Sequence, residues 1–148
     1  MPVKYVLRSL LLISIFLVKG IALHAQDYLE RNLWYNEEKT AKIQIYKATD
    51  GKYYGKVVWL KVPEVDGKPK IDIHNPDKAK KNDPIIGLLL LKGFKKDGEK
   101  EYSDGTVYDP KNGKTYKCRL TNKGDKLDVH GYIGMSFIGR TTVWTKAD

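Results

Sequence analysis

The chain has 148 residues, 27 Lys and Arg against 18 Asp and Glu, a formal charge of +9, three histidines and one cysteine. That length suits one domain with a continuous core, and a lone Cys118 excludes an intramolecular disulfide framework. No zinc spacing, phosphate loop or dinucleotide fingerprint occurs, so neither a metal nor a cofactor is expected, and no groove-reading or stacking motif points to nucleic acid.

Lys4 and Arg8 precede nine apolar or small residues, Leu10 to Val18, and a small-residue region ends at Ala25. Nine residues rising about 1.5 Å each cannot cross a hydrocarbon core of about 30 Å, so the segment reads as a cleaved signal peptide over residues 1–25 and not as a transmembrane span. The expected location is the periplasm or the cell exterior. Removal of residues 1–25 takes away Lys4, Arg8 and Lys19 and no acid, so the charge falls from +9 to +6 on a single domain, residues 26–148.

The rest of the chain alternates short strand patterns with turn signals and shows no amphipathic helix. Leu29 to Tyr35 is the first expected strand. Ala41, Ile43 and Ile45 then face one way and Lys42, Gln44 and Tyr46 the other, and an Asp50-Gly51 turn leads into Tyr53 to Lys61. On that third strand Tyr53, Gly55, Val57 and Trp59 share a face by period-2 alternation, and Gly55 marks a bend, a bulge or a close neighbour. Val62 to Asp83 has no clear period and contains Pro63, Pro69 and Pro76, as a lid or a partly mobile segment would. Ile85 to Leu91 reads as a strand buried on both faces, and Lys95 to Asp104 as a charged connection. Thr106–Tyr108 and Thr115–Leu120 form a hairpin about the turn Asp109-Pro110-Lys111-Asn112-Gly113, with Tyr116, Cys118 and Leu120 on the dry side. Cys118 is therefore expected to be a buried hydrophobe and not a reactive thiol. Leu127, Val129, Gly131 and Ile133 face inward on the next strand, opposite Lys126, Asp128, His130 and Tyr132, and Arg140, Thr142 and Trp144 share one side of the last. About eight antiparallel strands in about 120 residues call for closure into a barrel, because closure removes sheet edges.

The runs Tyr54-Gly55-Lys56-Val57-Val58-Trp59-Leu60, Asn75-Pro76-Asp77, Pro84-Ile85-Ile86-Gly87-Leu88, Tyr108 to Tyr116, Gly131-Tyr132-Ile133-Gly134 and Gly139 to Trp144 resemble the exported bacterial family called domain of unknown function 2147. The resemblance covers nearly all of the chain beyond the signal peptide and implies a lipocalin-like, or calycin, eight-stranded barrel. It carries no established activity. It also implies that Trp34, in Asn32-Leu33-Trp34 with Asn where Gly is expected, closes one barrel end beneath Arg140 as a structural pair.

Three functional readings follow. The first is binding of a small apolar or amphipathic, lipid-like ligand in the barrel or at its mouth, with Tyr53, Trp59, Tyr108, Tyr116 and Trp144 as the lining. Packed side chains can also fill an eight-stranded barrel, so an occupied core and an open cavity both fit these aromatics. The second is an envelope interaction protein that meets an anionic component through its basic surface and the 62–83 loop, which holds Lys78, Lys80 and Lys81. The third, a hydrolytic enzyme, finds little support: Ser103 and Ser136 lack the context of an activated nucleophile, and no catalytic residue is assigned. Asp72-Ile73-His74-Asn75-Pro76-Asp77 reads as turn chemistry and not as a metal site.

Overall fold

Eight strands close into an antiparallel barrel in the computed structural model, which describes residues 27–148. The expected signal peptide, residues 1–25, lies outside the described residues. In chain order the elements are a one-turn helix α1 (Tyr28–Arg31), β1 (Leu33–Tyr35), β2 (Ala41–Lys47), β3 (Tyr53–Leu60), a small hairpin of β4 (Glu64–Val65) and β5 (Lys68–Pro69), β6 (Leu89–Lys96), β7 (Glu101–Asp109), β8 (Lys114–Asn122), β9 (Lys126–Tyr132) and β10 (Gly139–Lys146). The ring runs β1-β10-β9-β8-β7-β6-β3-β2, so chain neighbours are spatial neighbours throughout, as an up-and-down barrel requires.

Tight turns fix the register. The Asp50-Gly51 turn pairs Tyr46 with Tyr54, and the Asp109–Gly113 turn pairs Tyr108 with Thr115, as the sequence leads one to expect. Gly55 has the close neighbour its position suggests, since an added Cβ would lie 2.9 Å from Leu91 Cδ1. Cys118 is fully buried, and burial pushes its thiol up to about 12, which leaves it protonated and unreactive at neutral pH.

Four expectations change. The first strand is only Leu33–Tyr35, because Asp27 and Glu30 form a capping box that turns Tyr28–Arg31 into α1. Ile85–Leu88 is not strand; β6 starts at Leu89 and absorbs the first part of the expected charged connection. Ile133 does not face inward but lies beyond the end of β9, exposed. Trp59 is on the outer surface. The register of β2 against β3 slips between Lys42/Trp59 and Ile43/Val57, so Val58 is an extra residue and everything after it changes face. Leu60 points in, and Trp59 packs edge-on against Tyr35 at 6.0 Å with Lys42 Nζ 5.3 Å from its ring centre.

The strand directions place α1 and the β2–β3, β6–β7 and β8–β9 turns at one end of the barrel, the closed end. The β1–β2 turn, the long β3–β6 connection, the β7–β8 turn and the β9–β10 loop lie at the other. The closed end is solid: Leu29, Trp34, Ile45, Leu91, Phe94, Tyr102, Leu120 and Leu127 are almost inaccessible to solvent. α1 plugs it. Trp34 donates its indole N–H to Leu29 O (3.1 Å), and Asp27 accepts the Tyr102 hydroxyl (2.6 Å) and the Lys96 ammonium (2.5 Å), with the Tyr53 hydroxyl at 3.4 Å. Burial alone would raise the Asp27 carboxyl, but Lys96, Tyr102 and the Leu29 N–H outweigh it and hold the group below the usual carboxylate range.

Candidate functional site: a half-filled barrel

Above that plug the barrel is hollow. A cavity of about 1110 Å³ opens at the loop end, somewhat above the roughly 300–1,000 Å³ common for small-molecule sites. Its inner wall comes from alternate residues of successive strands: Ile43, Val57, Leu90, Val107, Val129 and Trp144. Gly131 belongs to the same wall and leaves space where a side chain would stand. The lower half of the barrel is packed and the space lies toward the mouth; the wall residues Ile43, Val57, Val129 and Trp144 are themselves at most 5% exposed. A smaller recess of about 490 Å³ outside the closed end is lined largely by charged side chains, Asp27, Arg31, Lys96, Glu99 and Lys100 among them.

Of the five aromatics expected to line the barrel, the structure brings Tyr108, Tyr116 and Trp144 together at the cavity. Tyr53 faces inward but belongs to the closed end, where burial, Asp27 and Glu30 push its phenol up to about 12. Trp59, on the outer surface, does not contribute. The expected pairing of Trp34 with Arg140 is also corrected. Trp34 stands opposite Lys146 on β10, and Arg140 lies six residues farther along that strand, roughly 20 Å away at about 3.3 Å per residue. The partners of Trp34 are instead Leu29 O and the edge-on ring of Tyr28. Arg140 is at the mouth, where its Nη2 donates to Glu37 Oε2 (3.1 Å).

The long connection folds over the mouth. Antiparallel contacts stiffen it, Asp72 N–H to Asp83 O (2.9 Å) and Ile85 N–H to Lys70 O (2.8 Å). The carboxylate of Asp72, nearly inaccessible, ties it to the barrel by accepting the Tyr108 hydroxyl (2.8 Å) and the Asn75 amide (2.8 Å). Burial and then Asp72 push the Tyr108 phenol up to about 12, so it remains a hydrogen-bond donor at any physiological pH. At the β7–β8 turn Gly113 has φ +71°, and an added Cβ would come within 2.0 Å of His74 O. Only glycine lets the connection lie this close. Asp72 escaped the sequence reading because Asp72–Asp77 looks like ordinary turn chemistry; an Asp next to Ile71 and Ile73 is the one available signal.

The rim is polar and balanced, with Glu37, Glu38 and Asp109 against Lys70, Lys111 and Arg140. Glu38 sits on the β1–β2 turn and Lys111 on the β7–β8 turn, and in the ring order these turns are on opposite sides of the mouth. Their side chains meet, Lys111 Nζ to Glu38 at 2.6 and 2.7 Å, and form a strap across the opening. Beside it the wall is low, since β1 pairs with β10 only at Trp34 and Tyr35 and leaves the upper part of β10 to Glu37, which accepts the Val143 N–H (3.4 Å).

The model of the bacterial family described as "Uncharacterized protein conserved in bacteria", domain of unknown function 2147, matches residues 32–146. Among solved structures, a Helicobacter pylori protein described as belonging to the lipocalin family matches with a TM-score of 0.70 and 22% identity, over 82% of this chain and 84% of that one. At that identity the likeness establishes the barrel and its lipocalin-like topology. No curated protein matches. The family match spans every strand of the barrel, and the chain belongs to the domain of unknown function 2147 family.

Proposed function

We propose that the barrel binds a single amphipathic, lipid-like molecule, with its apolar part among Ile43, Val57, Leu90, Val129 and Trp144 and its polar end at the rim. The observation that carries this is the division of the cavity into an apolar inner wall and a charged, solvent-facing mouth. Burial of an apolar chain against such a wall contributes about 25 cal/mol per Å² removed from water. With three acids and three fixed cations at the rim, a neutral or zwitterionic head fits better than a strongly charged one. The Lys4/Arg8 and Leu10–Val18 pattern supports a site of action in the periplasm or outside the cell.

His74 stands in the cavity lining, whereas His130 lies outside it and is held by structural hydrogen bonds. The Nε2 of His130 lies 2.6 Å from Ser136 O and its Nδ1 2.8 Å from Thr141 Oγ1, so the ring donates to the carbonyl and accepts from the hydroxyl. The test is a fluorescent lysophosphatidylcholine probe, with a zwitterionic head, titrated into the protein and into Val129→Trp, which places an indole in the cavity. Saturable one-to-one binding lost in Val129→Trp, at unchanged unfolding temperature, supports the reading. Equal binding by both proteins overturns it.

A further inference from the structure

We propose that the open end of the barrel docks on an anionic lipid surface, with the apolar side chains of the β9–β10 loop, Ile133 to Ile138, entering the apolar layer. This goes beyond the cavity reading and does not rest on it.

The loop concentrates four large apolar side chains with most of their surface in solvent: Ile133, Met135, Phe137 and Ile138 are between 58% and 79% exposed. Such a concentration on a soluble surface marks an interaction site. Some of the loop's peptide groups are paired within the fold. Ile138 N–H donates to Met135 O (3.0 Å), Ile133 N–H to Ile138 O (3.3 Å), and His130 holds Ser136 O from below. The N–H groups of Gly134 to Phe137 have no partner among the described residues. The loop backbone therefore stays at the hydrated headgroup level and only the side chains enter, because an unpaired peptide group in the apolar layer costs several kcal/mol.

Charge selects the occupant. No acid occurs from Pro110 to Gly124 or from Val129 to Ala147. Arg140 is paired with Glu37 and Lys114 stands opposite Asp109, which leaves Lys117 and Arg119 as the cations of the wall beneath the loop with no acid facing them in the register. Lys117 stands beside Tyr132 in the register, directly below the loop, and Lys114 continues toward the open end. Lys114, Lys117 and Arg119 are exposed and make no ion pair among the described residues. Apolar side chains above a belt of cations match a bilayer, in which anionic headgroups overlie hydrocarbon. A folded partner is a poorer fit. Six loop residues fall well short of the roughly 800 Å² per side of a stable protein interface. Ile133 and Ile138 also line the cavity, and Ile73 of the long connection faces the same opening, so docking brings the mouth to the lipid.

The experiment is flotation of the exported protein with vesicles of phosphatidylethanolamine and phosphatidylglycerol, and with vesicles of phosphatidylcholine alone. The barrel is complete within residues 27–148, so any leader residue retained is common to all variants. The expected result is flotation with the anionic vesicles, reduced at least tenfold by Met135→Ser/Phe137→Ser and at least fivefold by Lys114→Glu/Lys117→Glu, with unfolding temperatures unchanged. A Phe137→Trp variant adds a direct reading: its emission shifts to the blue and is quenched by bromolipids. No flotation, flotation indifferent to Met135→Ser/Phe137→Ser, or equal flotation with phosphatidylcholine overturns the proposal. So does a lipid-free dimer that this double substitution abolishes, which would assign the loop to a second copy of the chain.

Discussion

Substitution of Asp27 by Ala tests the physical account of the closed end. The carboxylate caps α1 by accepting the Leu29 N–H (3.4 Å), accepts the Tyr102 hydroxyl at 2.6 Å and meets Lys96 at 2.5 Å. Loss of an N-cap costs about 1 kcal/mol, and stranding the buried Tyr102 hydroxyl costs a further ~1–3 kcal/mol. The half-exposed Lys96 contributes little beyond this, since its ammonium is rehydrated. A total of about 2–4 kcal/mol corresponds to a fall in unfolding temperature of roughly 6–15 °C for a domain of this size. Circular dichroism melting and urea titration read it. Tyr102→Phe removes the stranded hydroxyl, so in that background Asp27→Ala should cost at least ~1 kcal/mol less. Because the folded-state pKa of Asp27 is depressed, its contribution is fully present above the unfolded value of about 3.9 and is lost as pH falls through the folded value. The gap between parent and variant should therefore be constant from pH 7 to 5 and narrow below about pH 4. A melting shift under ~2 °C, or additive costs in the double variant, would refute the plug.

The two tryptophans should separate cleanly: Trp59→Ala loses an external ring pair and a cation–π contact, about 1–2 kcal/mol with no change in probe affinity, whereas Trp144→Ala weakens probe binding in titration. Gly113→Ala should destabilise by more than ~2 kcal/mol and speed amide exchange over residues 70–76, because its Cβ meets His74 O. Gly51→Ala, with φ +78° and open space around it, should cost only about 1 kcal/mol in the same urea titration. Glu38→Lys replaces the strap by repulsion with Lys111; stopped-flow probe release should accelerate severalfold while the unfolding temperature stays put.

Architecture was legible where a local rule decides it. The Asp50-Gly51 and Asp109–Gly113 turns set hairpins and register without help from distant residues, and short connections then left closure as the way to remove edges. Trp59 was misplaced because alternation assumes an unbroken pleat, and the bulge at Val58 flips every later side chain. Ile133 was misplaced because the alternation was carried past the end of its strand into a loop. The plug was hidden because four residues are too few for a helical period, although Asp27 and Glu30 carry the spacing of a capping box. Arg140 and Trp34 lie at opposite ends because strand membership says nothing about height along the barrel. For the same reason inward-facing aromatics could not tell a filled barrel from a hollow one. The Asp72–Tyr108 bond and the Glu38–Lys111 strap join residues 36 and 73 positions apart, beyond any local pattern.

Occupancy of the upper half of the barrel by one amphipathic molecule is the central proposal. Its most direct test is native mass spectrometry of the protein purified without detergent, followed by solvent extraction. The account predicts one reproducible added mass of a single lipid-like class, absent from Val129→Trp. An apo mass that stays apo after incubation with excess extracted lipid would contradict it.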